Sequence, residues 1–158
     1  LQNRDKIELA PIAYVSNDRN HLGDDNWGDV ISEIRLREDL SEELFKGLET
    51  FSHIEVIFVF HRISRDKNVP DSRHPRDNPK WPKLGLLAQR SSYHPNPLGL
   101  STAKILAVEG SVLRVQGLDA VDGSPVLDIK PVFQEFMPQH SKQPLWVSEL
   151  LRDYWEKD

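Results

Sequence analysis

The residues best suited to chemistry lie between Gly85 and Val132. Arg90 carries a permanent cation, and His94-Pro95-Asn96-Pro97 makes a stiff exposed corner, because two prolines fix the backbone and deny helix to the residues before them. Leu118-Asp119, Asp122-Gly123-Ser124-Pro125 and Asp128 place carboxylates beside turn residues. A cation, a rigid corner flanked by Arg90 and Leu100, and acidic strand ends suit the holding of a polar ligand. Asp119 and His61, the latter closing an apolar run, are the candidates for moving a proton. Each has a plainer reading. Arg90 alone would serve as a surface ion-pair partner, His61 as a hydrogen-bonded structural histidine, and Asp119 as a strand terminator. Asp122-Gly123 supplies the left-handed dihedrals of a hairpin turn.

Other chemistries lack their residues. With no cysteine there is no disulfide framework, thiol nucleophile or cysteine zinc site, and the six histidines show no zincin spacing, so no metal is expected. The Gly23 to Gly28 spacing is followed by Asp29-Val30 where a P-loop needs lysine and a hydroxyl residue, and no Gly-x-Gly-x-x-Gly occurs, which disfavours nucleotide hydrolysis and a Rossmann-type methyltransferase. The carboxylates are too scattered to support a glycosidase or metal hydrolase. A net charge of -5 argues against nonspecific coating of nucleic acid, although a local basic patch is compatible with it.

The elements that must position these groups are mostly strands. Ile7 to Val15, Val30 to Arg37, His53 to His61, Leu84 to Gln89, Thr102 to Glu109, Ser111 to Leu118 and Val126 to Lys130 have strand composition. The continuous apolarity of Ile54 to Phe60 predicts a strand covered on both faces, and Glu109-Gly110 a tight hairpin. Asp39 with Glu42 forms a capping box ahead of Leu40, Leu44, Phe45 and Leu48, predicting one short internal helix weakened by Gly47. Pro144, followed by Trp146, Val147, Leu150, Leu151 and Tyr154 on one face, predicts a carboxy-terminal amphipathic helix over 144–157. Residues 62–83 hold four prolines and seven basic residues against three aspartates, and read as a long basic loop. At 158 residues the chain is expected to be a single, mainly β domain. The first residues lack a signal peptide's apolar run, and Ile54 to Phe60 is too short to span a bilayer, so a cytoplasmic protein without membrane contact is expected.

Taken in order, Arg90, Pro95-Asn96-Pro97-Leu98-Gly99-Leu100-Ser101, Leu118-Asp119, Asp122-Gly123-Ser124-Pro125 and Asp128-Ile129-Lys130-Pro131 closely resemble the TsaA-like (TrmO) family. That resemblance implies an antiparallel β-barrel, a homodimer, and S-adenosyl-L-methionine as cofactor in methyl transfer to the exocyclic nitrogen of threonylcarbamoyl-adenosine beside the tRNA anticodon. Matching positions imply cofactor contacts at Arg90, Leu100, Gly117, Leu118, Asp119, Ala120, Arg62 and Ile63, with Trp27, Gly28 and Asp29 at the amino-terminal segment. A sulfonium cofactor with a carboxylate and an adenine needs an anion partner, backbone hydrogen bonds and an apolar slot, and the motif block contains all three. His94 and Asn96 are substrate candidates, with His94 standing where the family has arginine. Arg65, Lys67, Arg73, Arg76, Lys80 and Lys83, with Trp81 for stacking, form a candidate tRNA-facing set, the alternative being a solvated loop. Methylation of a small molecule or another RNA, and a cofactor-binding module without catalysis, stand as the other readings.

Overall fold

A computed structural model describes residues 6–64 and 69–156. Its strands are β1 (Ala13–Ser16), β2 (Ile31–Leu36), β3 (His53–Val59), β4 (Ser72–Arg73), β5 (Leu84–Gly85), β6 (Leu98–Glu109), β7 (Val112–Gln116) and β8 (Pro125–Pro131), with one α-helix, α1 (Leu145–Leu150). Six strands close a barrel in the order β1-β2-β7-β6-β3-β8, every pair antiparallel, while β4 and β5 form a separate two-stranded ribbon.

Period-two alternation decides which side chains fill the barrel. Val15, Ile34, Ile54, Val56, Phe58, Leu113, Val115 and Val126 point inward and are buried. On β3 the alternate residues Glu55, Ile57 and Val59 point outward and stay exposed or half-buried, so the strand is covered on one face rather than two. Its continuous apolarity reflects a greasy outer wall, and Leu98, Leu100 and Leu106 extend that wall along β6.

Four predicted elements are shorter or different. β1 starts at Ala13 rather than Ile7, since Pro11 offers no N–H for a ladder and no strand pairs upstream; Ile7 and Leu9 are exposed. The internal helix is two single 3₁₀ turns, Glu42–Phe45 and Leu48–Thr50, separated by Gly47 at φ 93°. Ser41, not Asp39, caps the first turn by accepting from the Glu43 N–H, because Asp39 is taken by the Arg37 guanidinium. Phe45 and Leu48 pack against the core. Of Leu84 to Gln89 only two residues are strand, followed by a 3₁₀ turn, and the predicted helix over 144–157 ends at Leu150.

Antiparallel closure has one outcome that matters for function. The ends of β1, β3 and β7 and the starts of β2, β6 and β8 all fall at the same rim. The segments 17–30, 60–97 and 117–124 are therefore gathered at that rim, while Glu109-Gly110 turns the chain at the opposite end with Gly110 at φ 62°.

Gly99 lies beside Phe58 in the ladder, and a Cβ there would fall 2.2 Å from the Phe58 ring. Gly99→Ala is expected to destabilise the barrel by about 1–3 kcal/mol through overpacking. Urea unfolding should show a lower midpoint at unchanged slope.

Candidate functional site

The segment before β2 is shaped by one arginine. The Arg19 guanidinium donates to the carbonyls of Asn26 (3.0 Å), Asp25 (2.6 Å) and Gly23 (3.3 Å) and lies 4.1 Å from the centre of the Trp27 ring. Five parallel donors on a planar fork let a single side chain satisfy a whole turn of carbonyls. Asn17, just after β1, donates to Ser32 Oγ (2.8 Å) and the Ala120 carbonyl (2.9 Å), and its N–H reaches Asp122 Oδ1 (3.0 Å), which ties this segment to the loop after β7.

In that loop Gly117 adopts φ 79° and donates to the Val30 carbonyl, Leu118 and Ala120 are buried, and Gly123 adopts φ 80° as it donates to Val15. Asp119 lies between the two buried residues. Its Oδ2 accepts from the Tyr154 hydroxyl at 2.5 Å, whereas Oδ1 is buried with no hydrogen-bond partner among the described residues. Burial, then the Asp119 charge and hydrogen bond, raise the Tyr154 phenol above its ordinary range; the Arg90 charge pulls the other way. Tyr154 is thus a fixed donor, within electrostatic reach of Arg90.

The Arg90 guanidinium donates to the Leu100 carbonyl, which binds the segment before β6 to the strand itself. His94 Nε2 bonds the Gln89 carbonyl at 2.8 Å, and the Gln89 amide spans Arg73 O and Leu84 O across the β4-β5 ribbon. Those contacts turn the proline corner into part of a folded ledge. Asn96 is exposed, and its carbonyl accepts from Leu98 N–H. Arg62, after β3, donates to the Asn20 carbonyl, Ile63 is half-buried, and His61 is exposed with Nε2 3.5 Å from where a Gly123 Cβ would lie.

All the residues singled out as cofactor contacts therefore sit around one rim, and the basic set is rearranged. Arg73 pairs with Asp77 and lies 3.9 Å over the Tyr93 ring. Arg76 pairs with Asp25 at 2.6 Å; partial burial opposes its charge, but Asp25 and then Asp24 hold its pKa above the ordinary value. Trp81 is buried beneath the Lys80 ammonium and presents no open face for a base. Lys83 is exposed, while Arg65 and Lys67 lie outside the described residues.

Two further positions carry no motif. Nothing in the sequence marks Asn17, and Tyr154 falls on the apolar face predicted for the terminal helix, although a phenol at such a position carries a polar tip needing a partner. Asp153 O and Tyr154 O accept from the N–H groups of Asn26 (3.1 Å) and Trp27 (2.8 Å), so the carboxy-terminal segment crosses the same rim.

The donor set fits S-adenosylmethionine: Arg90 for a carboxylate, the unpartnered Asp119 Oδ1 for an N–H or O–H, and backbone at Gly117–Ala120 beside buried apolar side chains. No group of three or more His, Asp or Glu among the described residues is arranged to hold a metal ion. A groove of about 540 Å³ lies on the outer wall between Glu55, Thr102, Lys130 and Phe136 and contains none of these groups.

Residues 25–137 match the family model described as tRNA-methyltransferase O N-terminal domain. The human tRNA (adenine(37)-N6)-methyltransferase is 40% identical over 116 residues, covering 71% of this chain and 26% of that protein. The Escherichia coli protein of the same name is 39% identical over 102 residues, 61% of this chain and 43% of its own length. An S-adenosyl-L-methionine-binding protein of Archaeoglobus fulgidus is 39% identical over 130 residues, covering 77% and 86% of the two chains. A crystal structure of TrmO from P. aeruginosa superposes with a TM-score of 0.73 at 24% identity, covering 92% of this chain and 64% of that one, which supports the barrel fold. The chain thus spans about a quarter of the human relative and less than half of the bacterial one.

A Cβ on Gly28 would lie 1.9 Å from the Trp155 carbonyl oxygen. Backbone meets backbone there, so Gly28→Ala should displace residues 153–155 while leaving the barrel intact. Faster amide exchange at Asn26 and Trp27, with the β3 and β6 amides unchanged, is the expected result.

Proposed function

The chain belongs to the family of tRNA-methyltransferase O N-terminal domains, and on that premise we propose that its rim binds S-adenosyl-L-methionine and methylates tRNA. The acceptor is the exocyclic nitrogen of threonylcarbamoyl-adenosine beside the anticodon, and the work is cytoplasmic. What carries this reading is the convergence of Arg90, Leu100, Gly117–Ala120, Arg62–Ile63 and Trp27–Asp29 on one end of the barrel.

When bound, the cofactor supplies a methyl group already activated on a sulfonium, so the protein's task is alignment. Arg90 pairs with the cofactor's carboxylate and keeps its bond to the Leu100 carbonyl, which orients the guanidinium. Asp119 Oδ1 accepts from an N–H or O–H of the cofactor. Gly117 to Ala120 present backbone, and Trp27 backs the opposite wall with Gly28 and Asp29 beside it. His61, exposed at the same rim, is the candidate for taking the proton that the acceptor nitrogen loses. An anticodon-loop nucleotide is already single-stranded, so His94, Asn96 and Lys80 on the folded ledge need only position it.

A second reading is favoured by the internal pairing of Arg73 and Arg76 and by buried Trp81, which leave less free basic surface for RNA: a cofactor-binding domain acting on another acceptor, or not catalytic. Calorimetric titration with S-adenosylmethionine should show binding that Arg90→Ala weakens about 10- to 100-fold, the scale of a lost charge-assisted pair. Radiolabelled methyl transfer should then reach threonylcarbamoylated tRNA and not unmodified tRNA. Binding without transfer to any RNA or metabolite pool would select the second reading.

The apolar outer wall formed by Leu98, Leu100, Ile57 and Val59 is the surface proposed for homodimer formation. Light scattering should return twice the chain mass, and Leu98→Glu should halve it. A wild-type monomer mass would remove the dimer.

A further inference from the structure

We propose that Tyr154, which lies beyond the matched residues 25–137, is a positioning residue that holds Asp119 so that Oδ1 faces the cofactor. This rests on the reading of the rim as the S-adenosylmethionine site.

The tyrosine is itself held from several sides. Asn26 N–H and Trp27 N–H bond the carbonyls of Asp153 and Tyr154, which flank the Tyr154 Cα. Gly28 lets the Trp155 carbonyl approach where any side chain would block it, and the Trp155 ring packs edge-on against the phenol with centroids 4.9 Å apart at 83°. These contacts hold the residue with its hydroxyl on Asp119 Oδ2.

The choice of a phenol has a chemical consequence. A lysine or arginine at this place would also fix the carboxylate, but it would neutralise it and compete with a cationic ligand. Tyr154 donates one hydrogen bond and brings no charge, so the carboxylate keeps its full affinity for a donor arriving at Oδ1. A buried oxygen without a hydrogen-bond partner is unfavourable, and a ligand N–H or O–H at Oδ1 would relieve that cost. The matched domain thus supplies the carboxylate, and a separate segment of the chain sets its direction.

A double-mutant cycle read by calorimetry with S-adenosylmethionine tests this. Tyr154→Phe should raise the dissociation constant about tenfold in the native background, the worth of one hydrogen bond to a charged group. In an Asp119→Ala background the same change should alter it by less than about twofold, since nothing remains to be positioned. In steady-state transfer, the larger part of the Tyr154→Phe loss should fall in the cofactor KM rather than in kcat. Equal losses in both backgrounds would mark Tyr154 as merely structural and overturn the proposal, as would an unchanged dissociation constant or a loss confined to kcat. Failure of the native protein to bind the cofactor would remove the site reading and this inference with it, whereas native binding with an indifferent Tyr154→Phe removes only the inference.

Discussion

Closure of β8 onto β1 is the constraint on which the rest of the molecule depends. Six antiparallel strands in a ring give each strand end a fixed end of the barrel, so three long connections must meet at one rim regardless of how far apart they lie in the chain. Inside, Phe58, Ile34, Ile54 and Leu113 fill the barrel with apolar volume. Polar groups are thereby left to the mouth. There, backbone carbonyls and N–H groups freed from the ladders are held by Arg19, Asn17 and Arg90.

The rim is assembled largely from charges that satisfy each other. Arg73 with Asp77 and Arg76 with Asp24 and Asp25 consume part of the basic character that residues 62–83 advertise in one dimension, and Arg62 is tied to the Asn20 carbonyl. Arg76 and Asp25 are far apart in sequence, and their bidentate contact locks the ledge before β6 onto the turn before β2. Basic residues here organise loops first, while Lys80 and Lys83 stay exposed.

Sequence patterns reported the barrel well because alternation is a local signal. β2, β6, β7 and β8 lie within a few residues of their predicted spans, and the Glu109-Gly110 turn falls where expected. Where the outcome hinged on a partner, the pattern was silent or misleading. Ile7 to Leu9 look like strand yet join no ladder, and the apolar outer positions of β3 look buried yet form a surface. The capping box at Asp39 lost its carboxylate to Arg37. Ordered motifs located Arg90, Leu100 and Asp119, but no spacing rule could show that Tyr154 meets Asp119, because that contact exists only after the chain has travelled the length of the barrel and returned.

The route of that return separates the barrel from its mouth. All six barrel strands lie between Ala13 and Pro131, so the ring closes through residues that precede the crossing segment. Residues 153–155 are held at the rim by Asn26, Trp27 and Asp119 and belong to no strand, so they can open locally while the ladders stay paired. Such an opening would leave an intact scaffold in which the Asp119 carboxylate has lost its phenol partner.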